Sequence, residues 1–145
     1  MVQKLYEDSR AGVKIQMIVS RICSVVPGIK GYSENIKAIS IVDRYLEHSR
    51  VFIFHHGGEQ KIYLSSADWM TRNLSFRVET AFPIYDPEVK RDILDYINIQ
   101  LSDNVKARVL DKHLLNERNK VAGDFPCRSQ VDTYYMVKRK MEDSE

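Results

Sequence analysis

Only two cysteines, Cys23 and Cys127, occur in the 145 residues, far apart and with no CxxC or Cys/His spacing around them. That excludes a disulfide framework and a zinc-ligand motif, and two reduced thiols in the cytoplasm are expected. No apolar run approaches the roughly 18 residues that a membrane span needs. The opening run Met1-Val2-Gln3-Lys4-Leu5-Tyr6-Glu7-Asp8 has neither the charge order nor the apolar stretch of a signal peptide. Neither sign of charge dominates: 22 Lys and Arg face 20 Asp and Glu, for a net +2 and a pI near 8.5. Such a balance is too mild to mark a nucleic-acid binder, so anion affinity must come from local clustering. Internal repeats are also absent. What is there is 43% hydrophobic and 29% charged, an ordinary composition for one domain long enough to bury a core.

Residues 12–19 (GVKIQMIV) alternate and are rich in branched side chains, which predicts a strand. Residues 23–31, punctuated by Pro27-Gly28 and Gly31, read as a loop. Residues 36–42 fit helical spacing through Ile36 and Ile39, but Ala38-Ile39-Ser40-Ile41-Val42 fits a strand, which is preferred. Val51-Phe52-Ile53-Phe54 is a short continuous apolar run, expected as a strand covered on both faces. A turn at His55-His56-Gly57-Gly58-Glu59 leads into a partner strand at residues 61–64. Residues 77–84 (RVETAFPI) alternate again. Asp86-Pro87 opens the clearest helix, with Asp86 as cap and Pro87 at the first helical position. Val89, Ile93, Tyr96, Ile97 and Leu101 then fall on one face. Residues 105–110 suggest one more strand and residues 116–127 a mobile polar loop. Ser129 is expected to cap a last helix presenting Val131, Tyr134, Tyr135 and Met141. The alternation of strands and helices predicts an α/β fold with a mixed β-sheet flanked by helices.

The chemistry concentrates around Glu47-His48-Ser49-Arg50 and Ser65-Ser66-Ala67-Asp68-Trp69-Met70-Thr71-Arg72-Asn73. A lone histidine beside an apolar run is more often structural than catalytic, but this one has company. Arg50 is two residues on, so in a strand both side chains point to one face. The hairpin returns Ser65, Ser66 and Asp68 toward the histidine's end, and Arg72 and Arg77 follow. Phosphoryl transfer spreads charge over three oxygens, and the protein's main task is to place cations around them. Arginine's planar fork grips phosphate oxygens in pairs and keeps its charge. A histidine there serves as nucleophile or as general acid and base. For any one arginine alone, a solvated surface is the plainer reading. Asp68 either orients the histidine or an arginine, or caps the turn into Trp69-Met70. His55-His56 beside Gly57-Gly58 has no third ligand at suitable spacing, so a metal site is not expected. His113 and Lys138-Arg139-Lys140 read as exposed charge.

His48-x-Arg50 followed by Ser65-Ser66-Ala67-Asp68 resembles the second half of the phospholipase D pattern, His-x-Lys, then Asp, then Gly-Ser-x-Asn. It departs from that pattern at Arg50, His55, Ser65 and Asp68, which disfavours a phosphodiesterase. These departures are similar to those of the polyphosphate kinase family. Ser33-Glu34-Asn35-Ile36, Ser40-Ile41-Val42-Asp43-Arg44-Tyr45-Leu46-Glu47-His48, Leu64 through Asn73, and Leu101-Ser102-Asp103-Asn104-Val105-Lys106-Ala107-Arg108 all look like that family's. The resemblance runs from about Tyr6 to Asp111 and continues weakly to the end.

The resemblance implies a phospholipase-D-like fold for residues 1–145, with the second such motif at 43–73, as the last domain of a longer enzyme. That enzyme reversibly transfers the ATP γ-phosphate to long-chain inorganic polyphosphate through a phosphohistidine in another domain. His48 then matches the second active-site histidine, and Arg77 an arginine near the nucleotide phosphates. Arg72 and Arg50 join as phosphate-binding cations, with Ser65, Ser66, Asp68 and Asn73 in support. Where the family reads Val-Arg-Gly-Ile-Cys, this chain reads Val19-Ser20-Arg21-Ile22-Cys23. Either Arg21 serves from the neighbouring position or the contact at Ser20 is lost, since a one-residue shift in a strand reverses the side chain.

Further expectations follow from the same resemblance. The substrates are ATP or ADP and polyphosphate, with Mg²⁺ bound mainly outside this chain and no metal held within it. The partners are the enzyme's remaining domains in a homo-oligomer, with no nucleic acid. The location is cytoplasmic or peripheral to the membrane, and the chain alone is expected to be inactive. The rival readings are a non-catalytic module binding polyphosphate or nucleic acid, and a phosphodiesterase.

Overall fold

The computed structural model describes residues 1–120 and 125–143. Its elements run α1 (Val2–Arg10), β1 (Ile15–Val19), β2 (Ile36–Ser40), β3 (Val51–Phe54), a 3₁₀ turn (His56–Gly58), β4 (Lys61–Ser65), α2 (Thr71–Phe76), β5 (Ala81–Ile84), α3 (Pro87–Leu101), β6 (Arg108–Leu110) and α4 (Ser129–Glu142). The chain divides into two compact units, Met1–Glu47 with Tyr96–Glu145, and His48–Asp95. The α/β class holds. Instead of one mixed sheet, the strands form two sheets of three, ordered β1-β2-β6 and β3-β4-β5.

In the first unit β2 is central, parallel to β1 and antiparallel to β6, with Ile15 opposite Ile36 and Ser40 opposite Arg108. Ile36 and Ala38 alternate with Ile39 along the strand, and Ile36 and Ile39 enter separate core clusters, so both faces of β2 are buried; full burial of each isoleucine is worth about 1.5–3 kcal/mol. Leu5, Val25 and Ile36 form one core cluster, and Ile39, Ile41 and Ala107 another. Leu5 comes from α1, an element the sequence reading does not foresee. The strand read at residues 12–19 begins only at Ile15, because Gly12 takes φ +90° to end α1. Gly12 N donates to Ser9 O and Val13 N to Asp8 O, both at 3.0 Å, the paired closure of a Schellman turn.

The strand read at 105–110 likewise shrinks to Arg108–Leu110. The N–H groups of Val105, Lys106 and Ala107 donate to Asp103 Oδ1 at 3.0, 2.7 and 3.0 Å, which holds them out of the ladder. Ser129 is not the cap of α4. Arg128 holds that position, and the Ser129 N–H and hydroxyl both donate to Asp103 Oδ2 at 2.8 Å. The expected mobile loop at 116–127 is anchored where it is described: Asn119 Nδ2 donates to Leu101 O and Asp103 O at 3.0 Å. Its residues 121–124 lie outside the described residues. Val131, Tyr134, Tyr135 and Met141 of α4 are exposed.

The second unit is an antiparallel ribbon, Val51 opposite Leu64 and Ile62 opposite Ile84. Its centre is Ile62, on the middle strand β4. Pro83 sits in β5, an edge strand where its missing N–H costs no ladder bond. β3 is the other edge; it is half-buried and Phe54 is exposed, so the expected cover on both faces is not there. The strand read at 77–84 narrows to Ala81–Ile84, and α2 precedes it unforeseen. Asp86 caps α3 as expected, its Oδ1 accepting from Glu88 N at 2.8 Å and Val89 N at 3.0 Å. Val89 is exposed, and the residue α3 buries most deeply is Gln100.

Candidate functional site

Eight of the expected site residues (His48, Arg50, Ser65, Ser66, Asp68, Arg72, Asn73 and Arg77) belong to the second unit. The ribbon does what its register requires. Ser65 N donates to Arg50 O at 3.0 Å, continuing the β3–β4 ladder and setting the serine cluster beside Arg50. Arg50 Nε then donates to Asp68 Oδ1 at 2.8 Å, while its Nη2 meets His48 Nε2 at 2.8 Å. Of the two readings of Asp68, its side chain follows the first, holding an arginine. The hydrogen bond from Arg50 keeps the Asp68 carboxyl below its ordinary range against the opposing effect of burial, and the Arg72 charge adds to it.

The hydroxyls are already engaged. Ser65 Oγ donates to Thr80 O at 3.1 Å and accepts from Ala67 N at 3.0 Å. Ser66 Oγ donates to Glu79 Oε2 and accepts from Thr80 N at 3.0 Å. Asn73, only 3% exposed, donates through Nδ2 to Glu79 Oε1 at 2.7 Å. Glu79 is the residue that sequence reasoning misses. Its carboxylate ties the serine loop to α2, and bonds from Ser66 and Asn73 hold its pKa below the ordinary value, with Arg77 and Arg50 assisting. The available signal was its place two residues after Arg77, on the same side of an extended stretch.

Arg72 and Arg77 are exposed, as is His48. Three guanidiniums (Arg50, Arg72, Arg77) against two carboxylates (Asp68, Glu79) leave one cationic charge in excess within interaction range of one another. Such a cluster suits an anion with several oxygens. Ser20 and Arg21 belong to the first unit, just past the end of β1, with Arg21 exposed.

The segment that runs into His48 is itself firmly held within the first unit. Asp43, its side chain 2% exposed, receives Arg128 Nε and Nη2, both at 2.7 Å, with Lys106 Nζ at 3.8 Å. Gln130 donates to Tyr45 O at 2.7 Å and accepts from Tyr45 N at 3.0 Å. Glu47 accepts from Gln130 at 3.0 Å and from the Tyr96 hydroxyl at 2.9 Å.

Among the described residues no three His, Cys, Asp or Glu side chains group as a metal site. Asp43, Asp68, Glu79 and Asp103 are all committed to protein donors. Among the described residues, these four carboxylates therefore do not fit a resident Mg²⁺ ion. No helix among the described residues is long and apolar enough to cross a membrane.

The profile of the polyphosphate kinase C-terminal domain 2 matches residues 1–130. The chain belongs to the polyphosphate kinase family. It is 49% identical to the polyphosphate kinase of Escherichia coli over 145 residues, all of this chain and 21% of that protein. With the Salmonella typhimurium polyphosphate kinase it shares 54% over 138 residues, 95% of this chain and 20% of the relative. The crystal structure of polyphosphate kinase from Porphyromonas gingivalis superposes with a TM-score of 0.92 at 45% identity, covering 98% of this chain and 22% of that one. The chain thus spans about a fifth of the length of these polyphosphate kinases.

Proposed function

We propose that this chain is the C-terminal catalytic domain of a polyphosphate kinase, working on the phosphates of ATP and polyphosphate with the phosphohistidine supplied by another domain. The observation that carries this reading is the cluster on the ribbon: His48 joined to Arg50, which is itself bonded to Asp68, with Arg72 and Arg77 exposed close by. Arg72 and Arg77 neutralise phosphate oxygens as charge redistributes during transfer. His48 contacts the transferring or nucleotide phosphate and moves or holds a proton there. Ser65, Ser66, Asn73 and Glu79 fix the loop between β4 and α2.

A phospholipase-D-like descent fits the same cluster, in which the His48-x-Arg50 pair meets Asp68 of the second motif through the Arg50 side chain. The whole enzyme is expected to be cytoplasmic and homo-oligomeric. The test is kinetic: in a full-length relative whose matching segment is exchanged for this chain, His48→Gln should lower kcat by roughly two orders of magnitude. Loss of affinity alone, with kcat preserved, favours a binding module instead.

A further inference from the structure

We propose that Arg50 is a positioning residue for His48: anchored by Asp68, it occupies Nε2 of the imidazole and leaves Nδ1 as the N–H that donates to a phosphate oxygen. The inference deepens the reading of His48 as a phosphate-contacting group and rests on it.

A guanidinium carries donors only and keeps its proton throughout the physiological range. The 2.8 Å contact between Arg50 Nη2 and His48 Nε2 therefore requires Nε2 to supply its lone pair. A neutral imidazole has one N–H, so the proton is on Nδ1. This is the reverse of the form that predominates in a free histidine side chain. The tautomer follows from which ring nitrogen Arg50 meets, and here that nitrogen is Nε2.

Arg50 is placed for this task more than for gripping phosphate. Its Nε is bonded to Asp68 Oδ1 at 2.8 Å, and its Nη1 lies 3.4 Å from His48 O. Each of its three nitrogens faces a protein acceptor, so three of its five N–H donors are already engaged, which weakens the two-point grip that makes arginine a strong phosphate ligand. The Asp68 carboxylate orients the guanidinium and the guanidinium orients an otherwise exposed ring. A second consequence follows for the chemistry. With its Nε2 lone pair held, the resting His48 acts as a hydrogen-bond donor, and service as a base or nucleophile through Nε2 requires Arg50 to let go.

The test is long-range ¹H–¹⁵N spectroscopy of the ¹⁵N-labelled 145-residue chain at about pH 8.5, above the ordinary histidine range. His48 is assigned by the signals lost in His48→Gln. The expected pattern is a protonated Nδ1 and a bare Nε2. In Arg50→Met and in Asp68→Ala, His48 shifts toward the Nε2–H form while His55, His56 and His113 keep their wild-type patterns. A wild-type His48 with its proton mainly on Nε2 overturns the proposal, and so does a folded Arg50→Met with an unchanged pattern. If neither variant folds, the wild-type spectrum decides. This readout needs no turnover, so failure of the positioning claim is distinct from failure of the kinase reading.

Discussion

Outside the candidate site, one carboxylate belongs to the buried interior of the first unit. Asp103 is fully buried, and its two oxygens accept from the N–H groups of Val105, Lys106, Ala107 and Ser129 and from the Ser129 hydroxyl. Burial pushes its carboxyl up, but those donors outweigh it and hold the pKa below the ordinary value. Asp103→Ala strands several buried donors, so a loss of at least ~3 kcal/mol in urea unfolding is expected. The sign of the pH effect follows. A lowered carboxyl adds stability above the unfolded value of about 3.9, and that stability fades as pH falls through the folded value. Wild type should therefore lose stability in acid more steeply than the variant. Cys127 gives a second residue-level prediction. Burial, with Asp132 and Asp103 nearby, pushes its thiol up to about 11, so thiol reagents at neutral pH should leave it intact until the chain unfolds.

At the scale of elements, legibility depended on where the hydrogen bonds go. The β3–β4 hairpin was readable because two apolar runs flank a glycine-bearing turn, and its register alone brought Ser65 back to Arg50. α3 was readable from Asp86-Pro87, and the cap is present in the structure. Asp86→Ala should cost about 1 kcal/mol in thermal or urea unfolding, as caps of this kind do. The misses share a cause. The stretch at 105–107 has strand composition, but a side chain takes its N–H groups, and no periodicity records that. Glu79 sits where alternation suggested a strand that is not paired, so its link from Ser66 to Asn73 was invisible. α1 carries its inward stripe on Val2, Leu5, Tyr6 and Ser9, but the helix is only nine residues long and the stripe ends on a buried serine, so apolar periodicity records little of it.

At the scale of the molecule, this chain spans about a fifth of the length of the polyphosphate kinases it matches. Phe76, Val78 and Tyr85, all in the second unit, are largely exposed. The chain alone should make no polyphosphate from ATP, and robust synthesis by the 145 residues without a partner would contradict the proposed division of labour. The central claim is that His48 takes part in the transfer rather than only in holding an anion. The most direct measurement is the steady-state rate of a full-length polyphosphate kinase carrying this chain, with and without His48→Gln. The account predicts that kcat falls by roughly two orders of magnitude while the KM for ATP changes far less. An unchanged kcat with a weakened KM would contradict it.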